Sequence, residues 1–166
     1  MTTRSNPAQA TTSTDRIEKR VEIRAARSRV WSAIADARQF ATWFHVNLDG
    51  AFVEGSTVRG NITEKGYEHL KIEMQVQRVE PERYFAYRWH PYPIDPKADY
   101  SKEPTTTVEF RLEDAPEGTL LTVTELGFRS LPAARQGPAY DSNSGGWEEQ
   151  LRNIERHVAR HPAPRG

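Results

Sequence analysis

The strongest constraint on this chain lies near its C-terminus, where Trp147, Leu151, Ile154 and Val158 recur at intervals of four, three and four residues. At about 100° per residue, these four side chains fall within roughly 60° of a helix surface. Glu148, Glu149, Arg152, Glu155, Arg156 and Arg160 take the other faces, and Pro162 lies just beyond the expected end. A helix marked in this way lays one narrow apolar stripe on something large.

The rest of the chain reads as the sheet that receives it. In Arg16 to Arg24, Ile17, Val21 and Ile23 share one parity and charges take most of the other, so a strand with one wet face is expected. Two short helices follow. One spans Ala26 to Asp36 with Val30, Trp31 and Ile34 at helical spacing and Ser28 as a cap; the second spans Arg38 to Phe44 with Phe40, Trp43 and Phe44 on one side. Val58 to Glu64 and Glu68 to Val79 are expected to pair around Lys65-Gly66. Tyr84 to His90 alternates Phe85, Tyr87 and Trp89 against Arg88, which parity places outward. Thr105 to Leu112 and Thr119 to Leu126 form a hairpin around Pro116-Glu117-Gly118. Pro91, Pro93, Pro96 and Pro104 make Pro91 to Pro104 a loop, of a length often used for lids or binding. Pro132 and Pro138 limit helix across Leu131 to Asn143.

Hairpin-linked strands imply an antiparallel sheet, and helices held at the ends of such a chain imply an α+β layer arrangement. The expected fold is a helix-grip: a curved six-stranded antiparallel sheet around the long C-terminal helix, with two short helices after the first strand. Where side chains do not fill the curl, a pocket remains.

Composition removes several classes of function. The 23 Lys and Arg balance 23 Asp and Glu, which argues against nucleic-acid binding. The absence of cysteine excludes thiol catalysis and thiolate metal sites, and fits a cytoplasmic protein. No apolar run approaches the roughly 20 residues of a spanning helix, so no membrane insertion is expected. Residues 1–14 lack the apolar core of a secretory signal and read as a disordered tail. The domain is expected over residues 15–160, with a short tail at 161–166.

The segment VEIRAARSRVWSAIADARQFATWF resembles the opening of activator of heat-shock-protein-90 ATPase homologue (AHSA-type) domains, of the START-like or SRPBCC superfamily. Val30-Trp31 and Trp43-Phe44 match its Val-Trp helix and Trp-Phe pair. Tyr84 to Trp89 resembles its aromatic strand, EGTLLTVTELGF its strand ending in Gly-Phe, and Trp147 with Leu151 the start of its last helix. The likeness runs from Ile17 to Val158. Ala26 stands where the family commonly has proline, and Pro91 to Pro104 looks longer than usual. The resemblance implies a helix-grip fold with a pocket rather than one reaction. The superfamily includes lipid and hormone carriers, polyketide cyclases and chaperone co-factors.

Candidate site residues follow from both readings. Trp43, Phe44, Tyr87, Trp89 and Trp147 are expected to line an apolar pocket, while Trp31 and Phe110 serve the core. Glu125 shares the parity of Leu121 and Val123 and therefore points inward. A carboxylate there either meets a buried Arg or hydroxyl for structure, or shifts its pKa upward and works as a functional group. His45 and His90 follow aromatic residues and are the candidate bases; His69 is a weaker polar candidate. His157 and His161 have i, i+4 spacing but no third ligand, so no metal or other cofactor is expected. The leading expectation is a binding module for a small hydrophobic or aromatic molecule, without catalysis. The alternatives are a co-chaperone with a protein partner, and a cyclase or hydrolase using Glu125 with His45 or His90.

Overall fold

The computed structural model describes residues 15–160 with the exception of 94 and 96. The expected tails at 1–14 and 161–166 lie outside the described residues. Seven strands and three helices run in the order β1 (Arg16–Ile23), α1 (Arg27–Ala35), α2 (Ala37–Phe44), β2 (Val46–Leu48), β3 (Thr57–Ile62), β4 (Lys71–Glu80), β5 (Tyr84–Trp89), β6 (Thr106–Ala115), β7 (Gly118–Leu126) and α3 (Ala133–Arg160). The strands form one curved antiparallel sheet of order β1-β7-β6-β5-β4-β3-β2. Every neighbouring pair except β1 and β7 is consecutive in sequence, so hairpins build most of the sheet and β1 returns to close one flank.

The sheet has one strand more than the sequence suggested. β2 is three residues long and too short to show alternation. It pairs with β3 because Gly60 lets the backbones meet: a β-carbon there would lie 1.5 Å from the Asn47 carbonyl oxygen. On the next strand the β4–β5 register shifts between Val76 and Arg78. Such a bulge raises the local twist and helps a sheet curl.

α3 fills the curl. Trp147, Leu151, Ile154 and Val158 are all buried, as their spacing requires. Each such side chain contributes about 1.5–3 kcal/mol by leaving water. The Arg29 guanidinium of α1 donates to the Val158 carbonyl, and His157 meets the Gln39 side chain of α2 at 3.0 Å. The short helices are thereby tied to the end of the long one.

Two local expectations are corrected. Ser28 does not cap α1; Ala26 holds the N-cap position without a side-chain bond, whereas Asp36 caps α2 by accepting from the Arg38 amide at 3.0 Å. Leu131 to Asn143, expected to be mixed with little helix, is helical from Ala133 onward and forms the first part of α3. Pro132 precedes the first helical residue, where a missing N–H costs nothing. Pro138 is exposed, so water can reach the carbonyl left without its helical donor. Among the described residues no helix is long and apolar enough to cross a membrane.

Candidate functional site

Two adjoining clefts open where the C-terminal end of α2, the ends of β3 and β5, and the middle of α3 converge. The larger, ≈ 260 Å³, is walled by Phe44, Ile62, Leu70, Ile72, Trp89 and Tyr92, with Lys71, His90, Pro93, Ser142 and Asn143 also lining it. The smaller, ≈ 80 Å³, lies between Phe44, Trp89, Asn143, Gly146, Trp147 and Gln150. Phe44, Trp89 and Asn143 are common to both, so the two form one continuous recess. A β-carbon at Gly146 would meet nothing within 4 Å, which marks the open side.

The aromatic walls are packed against one another. The Trp89 and Trp147 rings stack at 5.9 Å between centroids, and Phe44 sets its edge against them at 5.8 and 6.3 Å. Offset and edge-to-face pairs of this kind contribute about 0.5–1.5 kcal/mol each beyond area burial.

Behind that wall sits Glu125, fully buried. Its Oε1 accepts from Trp147 Nε1 at 2.8 Å and Asn143 Nδ2 at 3.0 Å. Its Oε2 accepts from Thr106 Oγ1 at 2.6 Å, Trp89 Nε1 at 2.8 Å and Asn143 Nδ2 at 3.2 Å. All four partners are neutral. Burial pushes the carboxyl above its ordinary value, and the Thr106, Trp89, Trp147 and Asn143 donors oppose that shift. The expected partner is a buried hydroxyl rather than an Arg, and burial outweighs it in the direction of the shift. The carboxylate does not line either cleft. It grips the backs of three side chains that do, which makes it a positioning residue.

The other candidates divide cleanly. Phe44, Trp89, His90 and Trp147 reach the recess. Trp43 does not; it is buried toward α1 and donates to the Ala33 carbonyl at 2.7 Å. Tyr87 is wholly buried one layer deeper, T-shaped against Trp89 at 5.2 Å, with its hydroxyl unpartnered among the described residues. His45 is the exposed C-cap of α2 in left-handed conformation, φ 63°, and lines neither cleft. Neither His45 nor His90 is a partner of Glu125, so the acid–base pairs suggested by sequence are not assembled. His69 and Arg88 are exposed. Among the described residues no three metal-ligating side chains cluster; His161 lies outside them.

Sequence reasoning missed Asn143 and Thr106. Asn143 is four residues before Trp147 and so shares its helix face. Continuing α3 upstream would have found it. Thr106 shares the inward parity of Val108 and Phe110 on β6.

Comparison with known proteins gives a consistent outcome. The family described as Activator of Hsp90 ATPase homolog 1-like protein matches residues 24–159. No curated protein matches by sequence. Among solved structures, the chain is similar to MLL2253 from Mesorhizobium loti, with TM-score 0.71 and 22% identity over 89% of this chain and 99% of that one. It is similar to DynU16 from the dynemicin biosynthetic locus, with TM-score 0.68 and 23% identity over 87% of this chain but 47% of DynU16. The Aha1 dimer from Colwellia psychrerythraea has TM-score 0.65 and 17% identity over 86% of this chain and 95% of that one. At these identities the likeness establishes a shared fold.

Proposed function

The chain belongs to the Activator of Hsp90 ATPase homolog 1-like family, and from that membership and the recess we propose that it binds a small apolar or aromatic molecule between the sheet, α2 and α3. The observation that carries this reading is the aromatic wall held from behind. Trp89 and Trp147 are packed on one another and on Phe44, and their indole N–H groups are anchored on one buried carboxylate. A wall fixed before the ligand arrives lowers the ordering cost of binding. Binding without turnover is the simpler form of the proposal, because the only fully buried carboxylate among the described residues is saturated by its own neighbours.

Native mass spectrometry of the purified chain should find a retained small molecule, or the chain should bind 2-naphthamide in a fluorescence titration. Leu70→Trp fills the recess from its half-buried rim and should abolish binding without lowering the thermal midpoint. Failure to retain any molecule together with failure to bind the naphthyl probe refutes the proposal.

A second reading is a surface role toward a chaperone or another protein. The family's description and the likeness to the Colwellia Aha1 dimer favour it. A chain that stimulates a chaperone ATPase equally well with and without Leu70→Trp supports this reading over the first.

A further inference from the structure

The recess does not end at its apolar wall. Lys71, Ile72, His90 and Pro93 line both the larger cleft and a groove of ≈ 380 Å³ beside it. The join therefore carries one ammonium and one imidazole, brought together by the first residue of β4 and the residue after β5.

The groove's carboxylates are already engaged. Glu73 pairs with Arg59 at 2.9 Å. Asp99 accepts from the Ser101 amide at 3.0 Å and the Ser101 hydroxyl at 2.5 Å. Lys71 is exposed and has no ion pair among the described residues. His90 is half-buried, and its Nδ1 is buried without a hydrogen-bond partner. His90 itself lines both cavities, so a ligand that spans the join packs beside it.

Resting on the ligand-binding reading above, we propose that the ligand is a monocarboxylate with an apolar or aromatic body, the body in the recess and the carboxylate between Lys71 and His90. A single negative charge suits the join. It offers one cation outside any ion pair among the described residues, while Asp99 keeps its own charge beside His90, so a doubly charged phosphate would meet more repulsion there than a monocarboxylate. The opposite placement, with the carboxylate inward beside Phe44 and Trp89, would desolvate it with no cation in that end of the recess and with Glu125 behind the wall.

The test compares 2-naphthoate with its neutral isostere 2-naphthamide by fluorescence titration at low and high salt. Wild type should bind the carboxylate about tenfold more tightly than the amide, the gain expected of one charge-assisted hydrogen bond. The preference should shrink with added salt. Lys71→Met, an exposed change that leaves the fold intact, should abolish the preference while keeping amide affinity. His90→Phe retains the ring shape and should reduce it. Equal affinities in wild type, or a preference that survives Lys71→Met, overturn the carboxylate inference and leave the apolar recess standing. Binding of neither probe overturns the carboxylate inference and, where native mass spectrometry also finds no retained molecule, the recess reading with it.

Discussion

The two ends of the recess are chemical opposites. At the inner end the protein supplies its own carboxylate and surrounds it with donors from β5, β6 and α3. At the outer end it supplies the exposed Lys71 ammonium beside the half-buried His90, and among the described residues no carboxylate is bonded to either. The inner arrangement is closed: every Glu125 oxygen is taken, and what it holds is the shape of the aromatic wall. The outer arrangement is open, and a cation without an ion pair at a cleft mouth is what recognition of an anion requires. The same hydrogen-bond chemistry is used once for position and once for selection.

The comparison breaks most readily at the inner end. Trp147→Ala removes a buried indole from the α3 stripe, its stack on Trp89 and its bond to Glu125. It should cost about 3–5 kcal/mol of stability in denaturant titration. A loss well under 1 kcal/mol would mean that the inner end is not a packed structural unit.

Glu125→Gln is the sharper probe. Burial alone argues that removing the charge stabilises the fold. The cage argues the reverse. The indole N–H groups of Trp89 and Trp147 can only donate, and a Gln side chain turns an N–H₂ toward one set of donors. The expected result is destabilisation by about 1–3 kcal/mol at neutral pH. A stabilised mutant would show that the cage is worth less than the desolvation it offsets. The pH dependence has its own sign. The folded chain holds the Glu125 proton to higher pH than the unfolded chain, whose ordinary value is 4.5. The stability contributed by protonation is therefore complete below the unfolded pKa and is lost as pH rises through the folded one. Paired titrations from acid to neutral pH should show wild type losing stability through this window relative to Glu125→Gln. A constant difference would mean that Glu125 has an unshifted pKa.

The two ends were also unequally legible in the sequence. The inner end could be read because its residues lie on periodic elements: Glu125 by parity with Leu121 and Val123, Trp89 by parity with Phe85 and Tyr87, Trp147 by the helical stripe. Asn143 escaped because Pro138, Gly145 and Gly146 disguise the first half of α3 as a loop. Propensity is a weak signal, and packing on the sheet overrode it. The outer end depends on the start of β4 meeting the residue after β5 across a hairpin, a tertiary adjacency with no periodic mark. Thus His90 was legible as a candidate and Lys71 was not. His45 and Trp43 looked equally promising beside Phe44, but helix geometry turns one to solvent and the other to the core.

The smallest expected effect tests whether the outer end is held as firmly as the inner. The loop that contributes Tyr92 and Pro93 to the cleft is fastened to α3 chiefly by Arg135. Its guanidinium donates to the Pro91 and Tyr92 carbonyls at 2.8 Å each and to the Glu103 carboxylate at 3.1 Å, and it lies over the Tyr100 ring at 4.6 Å. A planar fork can serve carbonyls, carboxylate and ring together; an ammonium cannot. Arg135→Lys should therefore lower global stability by only about 1 kcal/mol, since the core strands do not depend on it. Its effect should be local. Amide exchange should accelerate at Asp95, Ser101 and Glu103, whose N–H groups bond within this loop, while amides of β6 and β7 keep their protection. Uniform acceleration across the sheet would mean that Arg135 is part of the core and that the outer end is no looser than the inner. No acceleration anywhere would mean that the loop is held by its prolines and backbone turns, with Arg135 incidental to it.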